Sequence, residues 1–177
     1  MRLPLLSRSL VTKFRHSLIG ILVLTVDFSP AAEKIAIKKT PNDGIQPKLA
    51  RDSRGTLHLI YFKGDPMGGN VYYVNQKPGA AMFSKSIRVN SVAGSVVAVG
   101  TMRGAQLTLG RNGRPHVSWN ASPKFTKARS KSTKKHNPKD HRFLFYTRMN
   151  STGKAFEKQR NLMGDTFALD GGCVVTA

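Results

Sequence analysis

The sequence has little cysteine, few acidic residues and no long apolar run. Cys173 is the only cysteine among 177 residues, so neither an intramolecular disulfide bond nor a cysteine-based metal cluster can form within one chain. Asp and Glu number nine, against 29 Lys and Arg. The most apolar run, residues 18–26, is nine residues long, whereas a membrane-spanning helix needs about 20. Stability must therefore come from packing, and a membrane anchor is not expected.

Motifs of the common nucleotide and hydrolase sites are also missing. The sequence contains no phosphate-binding glycine loop and no Gly-x-Ser-x-Gly nucleophile motif. No zinc finger, helix-turn-helix or RNA-binding signature accompanies the basic residues, so specific nucleic-acid binding is not favoured. Asp165 and Asp170 are interpreted as loop and turn residues rather than as a glycosidase pair. We predict no cofactor and no metal site.

The first 32 residues have the order of a secretory signal peptide. Basic residues come first, and the apolar run 18–26 and then small residues follow. The basic residues are Arg2, Arg8, Lys13 and Arg15. We predict cleavage near Ala31 or Ala32, with a secreted or periplasmic mature protein. Removal of residues 1–32 takes away four basic residues and one acidic residue, which lowers the net charge from +20 to +17.

The remaining residues, 33–177, contain an internal repeat, and repeats of this kind decide the fold. Residues 49–61 read LARDSRGTLHLIY and residues 107–119 read LTLGRNGRPHVSW, at an offset of 58. In each copy a short apolar strand meets a polar turn that ends in glycine, and an alternating strand follows, which predicts a β-hairpin. The offset pairs Gly55 with Gly113, His58 with His116, and Tyr61 with Trp119. We expect a positive φ at both glycines.

Further strands are predicted around the hairpins. NVYYVN at 70–75 and FLFYTRMN at 143–150 give each copy a third, aromatic strand. Each copy then has a glycine closely followed by phenylalanine, and each repeat supplies about four short strands, the unit of a propeller blade. Strands are also predicted at 35–39, 86–90 and 94–100, and the opening strand of a third copy at 167–177. No amphipathic helix is predicted.

These residues resemble the sialidase-like propellers with Asp-box (BNR) repeats, in the form found in exported bacterial proteins. The resemblance is carried by PKLARDSRGTLHLIY, RGAQLTLGRNGRPHVSW, FLFYTRMNSTGKAFEKQRNL and LDGGCVVTA, and it covers about residues 46–177. The Asp-box runs Ser-x-Asp-x-Gly-x-x-Trp. MNSTGKAF keeps Gly153 and an aromatic residue, Phe156, and has Ser151 where aspartate belongs. In the first copy, around Gly79, Lys77 takes the aspartate position.

The resemblance implies a six-bladed propeller that binds or cleaves a terminal sugar. In the family, an arginine triad holds a carboxylate, while a Tyr/Glu pair and an aspartate perform hydrolysis. Those residues are spread over several blades, and six blades of about 50 residues each need roughly 300 residues. A chain with two blades and the first strand of a third cannot assemble that site. We therefore expect a propeller fragment without sialidase turnover, whose unpaired strand edges favour self-association.

Single residues offer few functional candidates. Arg103 precedes the first strand of the second copy between two glycines, where an arginine could hold a carboxylate with two hydrogen bonds. The alternative is a solvated loop arginine. His58 and His116 could be acid–base or metal-binding groups, but their recurrence in both copies favours a packing role. Tyr61 and Trp119 are interpreted as packing residues between blades.

A basic insertion, residues 124–142, marks where the second copy is longer than the first. Its composition is typical of a solvated loop. Clustered cations also attract polyanions in a salt-dependent way. The alternative function is therefore a small basic surface protein that binds acidic polysaccharide through this loop. The residues that would carry the affinity are Lys124, Lys127, Arg129, Lys131, Lys134, Lys135, Lys139 and Arg142.

Overall fold

The computed structural model describes residues 37–99, 104–126, 143–163 and 174–177. The compact unit that contains all the strands is Lys38–Ala177. The predicted signal peptide, Arg103, residues 127–142 and the pair Asp165 and Asp170 lie outside the described residues.

The first sheet has four antiparallel strands in sequence order. Its strands are β1 (Ile45–Arg51), β2 (Leu57–Lys63), β3 (Asn70–Gln76) and β4 (Ile87–Arg88). A short 3-10 turn, Pro41–Asp43, precedes β1. The β-branched and aromatic residues of β2 and β3 suit a half-buried pleated surface, which accounts for the central place of these two strands.

The second sheet repeats the same order. Its strands are β5 (Gln106–Gly110), β6 (Arg114–Asn120), β7 (Leu144–Arg148) and β8 (Arg160–Asn161), with a 3-10 turn at Arg111–Gly113 and a single helical turn, α1 (Pro123–Thr126), after β6. The described residues are thus mostly β structure in two four-stranded antiparallel sheets. The predicted all-β class is confirmed.

Both predicted hairpins are present, and they share one register. Leu49 pairs with Leu59 in the first sheet, and Leu107 pairs with Val117 in the second, so the same repeat positions face each other. Gly55 and Gly113 have φ values of 82° and 71°. A side chain is strained in this left-handed region, which explains why glycine ends both turns.

Three predicted strands are wrong where the structure describes them. Residues 94–99 contribute only two isolated bridges, both at Val96. The backbone N–H groups of Val96 and Ala98 donate to the β2–β3 connection, whereas that of Val97 donates to Asn120 at the end of β6. Residues 37–39 and 174–177 lie in no strand. The apolar content of these three segments predicted strands. A strand also needs another strand beside it to pair with, and local sequence does not show whether one is present.

One apolar core joins the two sheets. Ile60, Phe62 and Val71 of the first sheet share it with Val117 and Trp119 of the second. The opposite face of the first sheet carries a second, smaller cluster. It consists of Leu59, Tyr61 and Val74, with Tyr72 and Phe83 packed against it. Residues 37–44, the leading segment, reach this face, because the Asn42 side-chain amide donates to the Tyr61 hydroxyl at 2.7 Å.

Trp119 and Tyr61 therefore have different surroundings, although they occupy the same repeat position. Trp119 lies in the core between the sheets, whereas Tyr61 packs beside the leading segment and stacks on Tyr72 at 5.8 Å between ring centroids.

Candidate functional site

Each of the repeated histidines lies within hydrogen-bond distance of a tyrosine hydroxyl on the next strand. In the first sheet His58 Nδ1 lies 2.7 Å from the Tyr73 hydroxyl, and Nε2 lies 3.4 Å from an oxygen of Asp52. Asp52 also accepts the backbone N–H groups of Arg54 and Thr56 at 3.0 and 2.8 Å. The carboxylate thus fixes the β1–β2 turn and one edge of the imidazole at the same time.

The second sheet repeats the histidine–tyrosine pair but not the aspartate. His116 Nδ1 lies 2.7 Å from the Tyr146 hydroxyl, and both pairs have ring centroids 5.9 Å apart. Gly110 takes the place of Asp52, and a Cβ there would lie 2.6 Å from His116 Nε2. The histidine–tyrosine contact recurs at the same position in both sheets, and Asp52 and His58 are buried. Both observations support a packing role for the histidines.

Acid should weaken the first sheet through Asp52. Burial acts to raise the pKa of this carboxyl, but the hydrogen bonds from Thr56, His58 and Arg54 outweigh it and lower the pKa to about 2. The ionised form is thus favoured in the folded chain, and its contribution to stability is complete above the ordinary pKa of 3.8 and is lost as the pH falls from there to about 2. Urea unfolding of the wild type and of Asp52→Asn across this range measures the effect. We expect the free energy of unfolding to fall less steeply with acid in the variant than in the wild type. Parallel pH profiles of this free energy would contradict the role of Asp52.

A second group of charged side chains lies at one end of the second sheet, where β6 and β8 begin and β7 ends. Glu157 precedes β8, and its carboxylate contacts three arginines. Arg114 Nη2 donates to it at 2.8 Å, Arg148 Nε donates to both its oxygens at 3.0 Å, and Arg160 Nη2 lies 3.9 Å away. The Arg160 guanidinium lies over the Tyr146 ring, 5.0 Å from its centroid. We call these four residues, Arg114, Arg148, Glu157 and Arg160, the arginine cluster.

The arginine cluster changes the protonation of its neighbours. The hydrogen bond from Arg148 lowers the pKa of Glu157, and the charges of Arg148, Arg114 and Arg160 lower it further against the effect of partial burial. Partial burial lowers the pKa of His116, and the charges of Arg114 and Arg148 add to that effect. At neutral pH, Glu157 is therefore ionised and His116 is neutral.

A groove of about 480 Å³ lies on the outer face of the first sheet. The leading segment forms one side and the β3–β4 connection forms the other, with Val74 and Phe83 also lining it. Three exposed lysines line the groove, namely Lys38, Lys39 and Lys85. No acidic residue is among the described residues that line it. A cleft lined by one sign of charge concentrates ligands of the opposite sign, and this volume lies in the range of small-ligand sites.

Of Arg103 and the eight basic residues of the insertion, the structure describes only Lys124. It lies exposed in α1, and a Cβ added at Gly68 would lie 3.3 Å from its ammonium nitrogen. Sequence reasoning missed both the arginine cluster and the groove. A comparison of the two β3–β4-type connections would have pointed to Glu157, because it stands where the first copy has Ser84.

Among the described residues, no group of His, Cys, Asp and Glu side chains is arranged to hold a metal ion. The described residues also include no helix long and apolar enough to cross a membrane. Comparison of the chain with protein-family models, curated proteins and solved structures gives no match.

Proposed function

We propose that the two sheets are consecutive blades of an exported, sialidase-like β-propeller fragment that binds acidic polysaccharide. Three features support the blade interpretation. Each sheet is a four-stranded meander, the sheets pack face to face through the Trp119 core, and β1 contacts β5. First strands meet in this way around the axis of a propeller. Self-association through the edge strand β1, where Leu49 is exposed, belongs to the same proposal.

Binding rather than turnover is the proposed activity. Hydrolysis in the family that the chain resembles uses residues from several blades, whereas the described strands form two sheets. The groove carries the binding proposal, because three lysines line it together with apolar side chains and its described lining has no acidic residue. Sugar rings bring apolar C–H faces, and acidic sugars bring carboxylate or sulfate groups, so both sides of the groove have a partner in such a ligand.

A lysine substitution series tests the groove. We expect Lys38→Gln, Lys39→Gln and Lys85→Gln combined to weaken binding to a sulfated polysaccharide by roughly tenfold, since exposed ion pairs contribute about 0.2–1 kcal/mol each. The matched control replaces Lys48, Lys63 and Lys77, which are exposed on or beside the first sheet and do not line the groove. It removes the same net charge. Equal losses in the two variants would show that only total charge matters.

The basic loop 124–142 is the alternative carrier of the affinity. Lys124 is exposed where this segment begins, and the chain has a net charge of +20. A third variant, with Lys131, Lys134 and Lys135 replaced by glutamine, separates the two possibilities. Loss of binding in this variant alone would transfer the proposed function from the groove to the loop.

A further inference from the structure

The arginine cluster is confined to the second sheet, although the fold around it occurs twice. Tyr73 pairs with Ile87 and Tyr146 pairs with Arg160, so Ile87 and Arg160 are equivalent. In both sheets the backbone N–H of one connection residue donates to the end of the third strand, from Ser84 to Asn75 at 2.7 Å and from Glu157 to Arg148 at 2.9 Å. The first sheet thus has neutral side chains in place of all four charges. They are Thr56, Asn75, Ser84 and Ile87.

The first sheet shows that this connection does not need the charges. There, Ser84 Oγ accepts the Asn75 backbone N–H at 3.0 Å, and one neutral hydroxyl closes the connection. The second sheet instead brings three guanidinium groups to one carboxylate, which leaves a net charge of +2 on the cluster. Crowding like charges is unfavourable unless an anion balances them. One carboxylate balances only a part of this charge.

We propose that Arg114, Arg148 and Arg160 form a binding site for a tetrahedral oxyanion, a sulfate or phosphate group, and that Glu157 is its built-in competitor. The proposal concerns a different sheet from the groove and stands without it. Guanidinium groups bind such oxyanions through paired N–H donors. Three guanidiniums from different strands suit an ion with oxygens in several directions.

The geometry leaves donors for such a ligand. The bond from Arg148 to Glu157 uses Nε, so the two terminal nitrogens of Arg148 are not engaged by this carboxylate. Arg160 is farther from the carboxylate, at 3.9 Å, and its side chain is 54% exposed, against 30% for Arg114. Stacking on Tyr146 holds the Arg160 guanidinium in place, which reduces the ordering that ligand binding requires.

Titration of the full chain with inorganic sulfate and inorganic phosphate, at constant ionic strength with sodium chloride, tests the site. We expect saturable stabilisation against heat. We also expect a rise in the pKa of His116, followed by NMR of its ring, because the bound anion offsets the charges of Arg114 and Arg148. Arg160→Gln should weaken binding at least about tenfold, which is the scale of one charge-assisted hydrogen bond. Arg88→Gln removes an equal charge from β4 of the first sheet and should leave binding unchanged.

Glu157→Gln separates a ligand site from a purely structural ion-pair hub. If Glu157 competes with the ligand, the variant binds phosphate or sulfate about tenfold more tightly, because the local charge rises and one charge-assisted competitor is removed. A structural hub would instead give a destabilised variant that sodium chloride and phosphate stabilise equally. This second outcome, or equal binding by Arg160→Gln and Arg88→Gln, would overturn the proposal.

The source of the oxyanion follows from a comparison of ligands at the same site. A sulfated disaccharide that binds more tightly than inorganic phosphate, with the excess lost in Arg160→Gln, identifies a sulfated glycan. Tighter binding of inorganic phosphate identifies the free ion. Both results support the site, and no saturable response to either ligand overturns it.

Discussion

Replacement of Trp119 by alanine should lower the free energy of unfolding by about 3–5 kcal/mol. Trp119 is fully buried in the core that joins the sheets, and its ring packs against Phe145 at 6.0 Å between centroids. Removing the indole leaves a cavity between the sheets. The strands on either side of it cannot move to fill this cavity without breaking their pairing within each sheet. Urea unfolding followed by far-UV circular dichroism measures the change.

Trp119→Phe is the matched control. The indole Nε1 has no hydrogen-bond partner in the part of the chain that the structure describes, so phenylalanine sacrifices packing but no bond. We expect a loss of about 1–2 kcal/mol. If the alanine variant were within 1 kcal/mol of the wild type, the two sheets would not share the described core.

Replacement of Gly44 by alanine should detach the leading segment from the first sheet. Gly44 has an ordinary φ of −66°, so its backbone does not exclude a side chain. The obstacle is Tyr61, because a Cβ at Gly44 would overlap its ring. Tyr61 is buried, so the ring cannot move aside. Overpacking of this kind costs about 1–3 kcal/mol.

The Gly44 variant should also weaken polysaccharide binding, because Lys38 and Lys39 reach the groove on the same segment. Gly153→Ala serves as the control. Gly153 lies in the β7–β8 connection, away from the groove, with a φ of 69°, and a Cβ there would meet no atom within 4 Å. The substitution therefore adds backbone strain without disturbing Tyr61 or the groove. Loss of stability in Gly44→Ala with unchanged binding would show that the leading segment does not build the groove.

Much of the fold was predictable, because its signals are local. Gly55 and Gly113 mark turns that require a positive φ, and the alternating residues beside them set the hairpin register. The aromatic third strands were found by the same kind of signal. Residues 94–99 were predicted wrongly, because apolar alternation describes a strand but does not supply a partner. The bonds of this segment go to Gly69, Asn120 and Pro66, which only the folded chain brings together.

The candidate sites were harder to predict, because they depend on register between distant segments. Arg114 and Glu157 are 43 residues apart in the chain and meet only because β6, β7 and β8 pair in order. The groove depends on the leading segment lying against Tyr61, and nothing in its composition indicates that contact. The charge of the chain pointed to a polyanion, but it directed attention to the basic loop 124–142 and not to the groove.

Binding of the purified wild-type chain to a sulfated or carboxylated polysaccharide, compared with a neutral polysaccharide of the same backbone at two salt concentrations, tests the proposed function most directly. We predict binding to the acidic polymer alone, with an affinity that falls steeply as salt rises, because lysine and arginine contacts release counterions. Equal binding to the neutral polymer, or no binding to the acidic one at low salt, would contradict the account.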